Sequence, residues 1–127
     1  VSLDKYTLLC KEILNNPHVN KIKKYNNFIY TISLKKLDKN LHNLRGKWGI
    51  FFEYNISSLN KIKSYINNKY QTLTYCGLKK ENLEAFVKKN SLKGIDRIVP
   101  IGQALDIDFF WDGYDLNRIL TRVIDLK

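Results

Sequence analysis

Four aspartates near the end of the chain form a cluster that could bind a metal ion. They are Asp106, Asp108, Asp112 and Asp115. Carboxylate oxygens are the donors that Ca²⁺ and Mg²⁺ select, but this spacing fits no EF-hand loop. The bulky run FFW at 109–111 also interrupts the cluster. The pattern therefore favours solvated or capping carboxylates over a metal site, and Asp115 is placed to cap a helix in LNRILTRVI.

Two cysteines are the other reactive side chains. Cys10 and Cys76 lie far apart without a CxxC partner, and no zinc-ligand spacing joins them to the two histidines. We predict that both are reduced, and that Cys10 packs in a core because it lies on the apolar stripe of a helix. The sequence contains neither a glycine-rich phosphate loop nor a GxSxG motif, so no catalytic residue is assigned.

Hydrophobic periodicity predicts the elements that must position these residues. Apolar residues at three-to-four spacing predict helices, and alternating or short continuous apolar runs predict strands. The predicted helices are about 3–14, a segment that begins at Ser57 or Ser58 and extends to Ile66, and 79–90, and the predicted strands are 28–34, 47–55, 70–77 and 97–102. Strands that alternate with helices indicate parallel βαβ units. We therefore predict an α/β fold with a mostly parallel sheet and flanking helices.

The chain carries a net charge of +10, which is unevenly placed. Residues 1–93 hold 18 basic and 6 acidic side chains, whereas residues 94–127 hold 4 and 6. A basic surface of this kind could bind nucleic acid. The lysines are, however, scattered among asparagine, isoleucine and tyrosine, which is typical of an AT-rich coding sequence. Composition alone therefore favours codon bias over a nucleic-acid partner.

Length and hydropathy bound the class of protein. At 127 residues and 44% apolar, the chain is long enough for a single domain, 1–127. No apolar run approaches the roughly 20 residues of a membrane span, and charged side chains interrupt the N-terminal segment. These features predict a cytoplasmic protein without a membrane partner. The chain opens on Val1 and contains no methionine, so we expect it to be part of a longer protein.

Two stretches in the second half resemble a known family. KYQTLTYCGL and GIDRIVPIGQALDIDFFWDGYDL are similar to the C-terminal portion of the LuxC acyl-CoA reductases (fatty acid reductases) of bacterial bioluminescence, which belong to the aldehyde dehydrogenase superfamily. The resemblance covers about 43–127 and is at motif level over 70–116. It implies the C-terminal part of an aldehyde dehydrogenase catalytic domain, with sheet and helices in 1–104. Residues 105–127 would then be a crossing segment that ends in an oligomerisation strand.

The resemblance also implies an activity, the reduction of an acyl-CoA or acyl-enzyme to a long-chain aldehyde with NADPH, through a thioester on an enzyme cysteine. That cysteine would lie upstream of the matched stretch, so this segment alone is expected to be inactive. NADPH would be bound mainly by parts of the parent outside this chain, and the parent would be a homo-oligomer. The chain departs from the superfamily around Gly46, where Arg45 is the one candidate cofactor contact.

The crossing segment and the strand before it supply the candidates for an acyl pocket or a subunit interface. Large aromatic side chains are favoured where desolvation is complete. The candidates are Arg97, Pro100, Gly102, Phe109, Trp111, Asp112, Gly113, Tyr114 and Asp115.

Two other functions remain open from the sequence. An RNA-binding module would use the lysine-rich first part, with Tyr25, Tyr30 and Tyr65 as stacking platforms. A purely structural oligomerisation domain would bind neither RNA nor substrate.

Overall fold

The computed structural model describes residues 2–127, and the chain divides into two compact units, Val1–Tyr65 and Ile66–Lys127. Both units combine helices with short strands, so the predicted α/β class is confirmed. The strands form three small sheets, one of three strands and two of two strands. Parallel and antiparallel pairs both occur, so the prediction of one mostly parallel sheet is matched only in part.

The first unit places one helix beside a three-stranded sheet. Helix α1, Ser2–Asn15, confirms the helix that the apolar stripe predicts. Strands β1, Val19–Tyr25, and β2, Ile29–Leu34, form an antiparallel hairpin. Strand β3, Ile50–Glu53, then pairs with β2 in parallel. The central strand β2 is therefore flanked by one neighbour of each direction.

Two elements of this unit differ from the sequence prediction. β1 lies where the sequence predicts no strand, because VNKIKKY contains three lysines and few apolar residues. Lysines are common on edge strands, where they discourage pairing with other chains. The predicted helix after Ser57 and Ser58 is a 3₁₀ helix at Leu59–Tyr65, in a run whose asparagine and serine are weak helix formers. Another 3₁₀ turn, Leu41–Asn43, lies in the connection between β2 and β3.

The core of the first unit lies between α1 and one face of the sheet. The buried cluster consists of Leu9, Tyr30, Ile32, Leu34 and Ile50. Tyr30 is only 5% exposed, so its ring cannot serve as the stacking platform that the RNA-binding alternative requires. Cys10 is half-buried on α1, next to Leu9 of this cluster, and both cysteines are free thiols.

A buried lysine joins α1 to the turn of the hairpin. The Lys5 ammonium donates to the carbonyl oxygens of Asn27 and Phe28, each at 2.7 Å, and lies 4.6 Å from the centre of the Tyr30 ring. Lys5 is 5% exposed, and burial of an ammonium is costly unless its donors are satisfied. Gly49 lies close to the Phe28 carbonyl with φ of 82°, where a side chain would collide with that oxygen. Glycine therefore permits the approach on which this contact depends.

The second unit is built on one parallel βαβ segment. Strand β4, Thr72–Tyr75, and strand β5, Arg97–Pro100, pair in parallel and are connected through helix α2, Lys80–Lys89. The sequence predicts each of these elements, with broader limits. Pro100 is the last residue of β5, as its missing N–H requires. This segment agrees with the predicted βαβ topology.

The last third of the second unit forms a small hairpin and a short helix. Strands β6, Phe110–Trp111, and β7, Tyr114–Asp115, pair antiparallel, and helix α3 follows at Leu116–Leu120. The sequence predicts an irregular crossing here, so the hairpin is a correction. Residues 121–127 contain no helix or strand in this structure, and the pairing of a terminal strand with another subunit stays a prediction.

Candidate functional site

The first residue of β5, Arg97, organises the segment that follows this strand. Its guanidinium donates to the carbonyl oxygens of Ala104 at 3.0 Å and Asp106 at 2.8 Å. The same group lies 4.4 Å from the centre of the Trp111 ring. Hydrogen bonds from a charged donor contribute roughly 1.5–3 kcal/mol, and a cation–π contact at a partly exposed site about 0.5–1 kcal/mol. Arg97 therefore holds the loop 101–109 against the start of β5.

Gln71, which precedes β4, connects the same region from the other strand. Its carbonyl oxygen accepts from the N–H groups of Asp96 at 2.8 Å and Arg97 at 3.2 Å. Its side-chain amide donates to the Asp112 carboxylate. One residue thus holds both the start of β5 and the tip of the hairpin. Sequence reasoning missed Gln71, because a single glutamine before a strand carries no spacing signal.

Asp112 and Gly113 form the two-residue turn between β6 and β7. Their φ angles are 52° and 79°, and positive φ at both central positions is the type I′ geometry for which Asp-Gly is a preferred pair. A Cβ on Gly113 would lie 3.1 Å from the Asp96 carboxylate. The turn geometry therefore explains why these two residue types occur together, without any ligand.

Asp115 caps α3 as the sequence predicts. Its carboxylate accepts from the Arg118 N–H at 3.3 Å. The neighbouring Leu116 N–H donates to the Phe109 carbonyl at 2.8 Å, which closes the base of the hairpin. Tyr114 and Phe109 are 62% and 61% exposed, so their rings contribute surface and not core.

Three further candidates are Pro100, Gly102 and Arg45. Pro100 ends β5, and Gly102 follows with φ of 96° and open space where a side chain would be. Arg45 belongs to the first unit, is exposed, and donates from Nε to the His42 carbonyl at 3.2 Å. No glycine-rich phosphate loop occurs among the described residues around Arg45, and its contact with NADPH stays a prediction.

The loop that Arg97 holds and the first residue of β6 expose four large apolar side chains. We call this set the apolar ridge. It consists of Leu105, Ile107, Phe109 and Phe110, which are 86%, 83%, 61% and 65% exposed. Large apolar side chains exposed within one short segment are typical of a site of binding or assembly. Within the described part of the second unit, the buried apolar residues are Leu83 and Phe86 of α2.

An open groove of about 290 Å³ lies between α2 and the β4–β5 pair. Its floor is apolar, and its rim carries lysine and glutamate side chains. The lining consists of Tyr75, Lys80, Leu83, Glu84, Val87, Lys88 and Ile98. Periodicity predicts that Val87 faces inward with Leu83 and Phe86, but it is 43% exposed because it lies at this opening. Periodicity could not distinguish the groove wall from the core.

The site offers positioning and apolar contact but no acid–base or nucleophilic pair. Cys76 is exposed after β4, and no group of three or more metal-ligating side chains occurs within residues 2–127. Asp106 acts through its backbone carbonyl, while Asp112 and Asp115 are used by the turn and the cap. The arrangement is therefore a scaffold that presents apolar side chains.

Comparison with known proteins adds no relative. No family model, no curated protein and no solved structure matches this chain. In the part of the chain that the structure describes, none of the helices has the length and apolar character needed to cross a bilayer.

Proposed function

We propose that this chain is the C-terminal segment of an NADPH-dependent acyl-CoA reductase that makes a long-chain aldehyde through an enzyme thioester. The nucleophilic cysteine and the nicotinamide site lie in parts of the parent outside this segment. The role of the segment is to complete the parent's sheet and to wall its acyl pocket. The observation that carries the proposal is the apolar ridge, because it belongs to the stretch with motif-level resemblance and is presented by contacts from Arg97.

The exposed side chains of the apolar ridge favour the binding of an apolar substrate. Each fully buried large apolar side chain is stabilised by roughly 1.5–3 kcal/mol relative to exposure to water. The chain instead holds Leu105 and Ile107 more than four-fifths exposed, on a loop ordered by a charged residue. An acyl chain or a neighbouring segment of the parent that covers them recovers this free energy.

The groove beside α2 supports the same substrate class independently. An apolar floor bordered by Lys80, Glu84 and Lys88 suits an amphiphilic anion, whose chain enters the groove while its charge stays beside one of the two lysines. A fatty acyl group attached to a phosphorylated carrier has these properties. The parallel β4–α2–β5 topology, which the resemblance implies for this region, places the groove beside the strand that leads to the ridge.

The test is acyl transfer by the complete gene product. Incubation with radiolabelled tetradecanoyl-CoA and no NADPH should leave label on the protein that hydroxylamine releases, since hydroxylamine cleaves thioesters. Addition of NADPH should then discharge the label as aldehyde. The isolated segment 1–127 should acquire no label under the same conditions. Absence of a labelled adduct on the complete product, or labelling of the isolated segment at Cys76, would contradict the proposal.

A non-catalytic oligomerisation domain is the second candidate. It is favoured by the C-terminal tail, where Val123, Ile124 and Leu126 are 95%, 82% and 91% exposed. This candidate predicts a concentration-dependent dimer in light scattering, and no shift in unfolding temperature with acyl-CoA. The reductase proposal predicts such a shift for the complete product, because a ligand that binds only the folded state stabilises it.

A further inference from the structure

The three-stranded sheet of the first unit has a second face, opposite the core. Side chains alternate between the two faces along a strand, and residues paired across strands share a face. Three cross-strand rows therefore lie on the face away from Ile32. They are Lys21↔Ser33↔Glu53, Lys23↔Thr31↔Phe51 and Tyr25↔Ile29. We call this surface the lysine–aromatic face. It consists of Lys21, Lys23, Tyr25, Ile29, Thr31, Ser33, Phe51 and Glu53.

The lysine–aromatic face presents rings and charge together. Tyr25 and Phe51 are each 54% exposed, and Ile29 is 41% exposed. Lys21 and Lys23 are exposed on the edge strand β1. Strands lie about 4.8 Å apart and alternate residues about 6.8 Å apart, so the two aromatic positions are separated by on the order of 12 Å. Lys23 lies on β1 two residues before Tyr25, and it is in the same cross-strand row as Phe51.

A second feature of this face is a hydroxyl without a partner. Thr31 lies at its centre, is 8% exposed, and its Oγ1 has no hydrogen-bond partner among the described residues. Leaving a buried polar group unpaired costs roughly 1–3 kcal/mol. Because this oxygen is itself buried, it is not presented to a ligand, and the exposed side chains around it would make the contacts.

We propose that the lysine–aromatic face binds single-stranded nucleic acid. Unpaired bases expose flat faces that stack on aromatic side chains without regard to sequence, while lysines neutralise the phosphates between them. Composition alone could not reveal that one face carries Lys21, Lys23, Tyr25 and Phe51 together. The charge of the unit agrees, because residues 1–65 hold 12 basic and 4 acidic side chains, a net charge of +8.

The position of Glu53 sets a limit to the bound strand. Its carboxylate accepts from the Ser33 hydroxyl at 3.3 Å and lies in the same row as Lys21. A phosphate beside Glu53 would be repelled, so the nucleic acid should cross the face near Lys23, Tyr25 and Phe51. Duplexes bind more weakly, because their bases are stacked on each other and cannot reach the rings.

Fluorescence anisotropy with labelled twelve-nucleotide oligo-dT and oligo-U tests this proposal on the 127-residue chain. Tyr25→Ala and Phe51→Ala should each weaken binding about tenfold, the range observed for loss of one stacking platform. The double variant Lys21→Ala and Lys23→Ala should also lower the slope of log K against log salt by roughly 1.4, or about 0.7 for each phosphate contact. Glu53→Gln should strengthen binding severalfold.

Matched controls separate the face from general charge. The double variant Lys61→Ala and Lys63→Ala removes the same charge from exposed positions off the sheet, and Phe109→Ala removes an exposed ring from the second unit. Both should retain more than half of the binding affinity. Circular dichroism must show that each variant is folded. The proposal is overturned if no saturable binding occurs at low salt, or if the controls lose as much affinity as the face variants.

Discussion

The guanidinium of Arg97 lies 4.4 Å from the centre of the Trp111 ring while it donates to two backbone carbonyls of the intervening loop. This contact joins the first residue of β5 to the last residue of β6, although the two strands are well separated in the sequence. The planar fork of arginine suits this geometry, because one group bonds two carbonyls and stacks at the same time. The ridge of apolar side chains is held by this arrangement.

Replacement of Arg97 should loosen the loop. We expect Arg97→Ala to lower the free energy of unfolding by about 1–3 kcal/mol, through loss of two charge-assisted hydrogen bonds and one ring contact. Arg97→Lys should recover less than half, because an ammonium cannot reproduce the fork. Urea unfolding followed by tryptophan fluorescence in a Trp48→Phe background measures the effect. Arg118→Ala, at an exposed position of α3, is the control and should change little.

Variants of the turn residues Asp112 and Gly113 should show whether backbone geometry or the carboxylate charge determines the stability of this turn. Asp112→Asn keeps an acceptor for the Gln71 amide and tolerates positive φ, so stability should change by less than about 0.5 kcal/mol. Gly113→Ala should cost about 1–2 kcal/mol, since φ is 79° and the Asp96 carboxylate is near. Thermal unfolding measures both. A larger loss for Asp112→Asn than for Gly113→Ala would show that the carboxylate charge, and not the turn, determines the sequence.

The regular elements could be predicted from the sequence better than the contacts between them. Helix α1, the parallel β4–β5 pair and the Asp115 cap follow from periodicity, strand alternation and capping chemistry, which are local. The role of Arg97 depends on carbonyls 7 and 9 positions away and on Trp111. Backbone carbonyls have no sequence signature, so the sequence marks Arg97 as a candidate residue without revealing which groups it binds.

The lysines of the first unit illustrate the same limit. Sequence patterns miss β1 because its lysines resemble those of a solvated loop, although an edge strand accepts them. Nothing in the sequence distinguishes Lys5 from other lysines, yet it is buried and binds two carbonyls at the hairpin turn. Residue type alone could not distinguish the exposed lysines of β1 from the buried Lys5, because each environment depends on the pairing of distant strands.

Lys5 should therefore matter more than other lysines of α1. We expect Lys5→Met to destabilise the chain by about 1.5–3 kcal/mol, because the Asn27 and Phe28 carbonyls lose a charged donor while the apolar stem is retained. Lys11→Met, at an exposed position of the same helix, should be nearly neutral. Urea unfolding monitored by far-ultraviolet circular dichroism compares them. Equal stability of the two variants would remove the structural role assigned to Lys5.

The role of the ridge in binding the acyl chain is measured by comparing short and long substrates in the complete gene product. NADPH-dependent aldehyde formation from butyryl-CoA and tetradecanoyl-CoA is measured with and without the double change Leu105→Ser and Ile107→Ser. We expect a preference for the long chain and a roughly tenfold loss of kcat/KM for that substrate alone, the effect of one or two lost apolar contacts. Failure to form aldehyde from either substrate, or an equal loss for both, would contradict the proposed function.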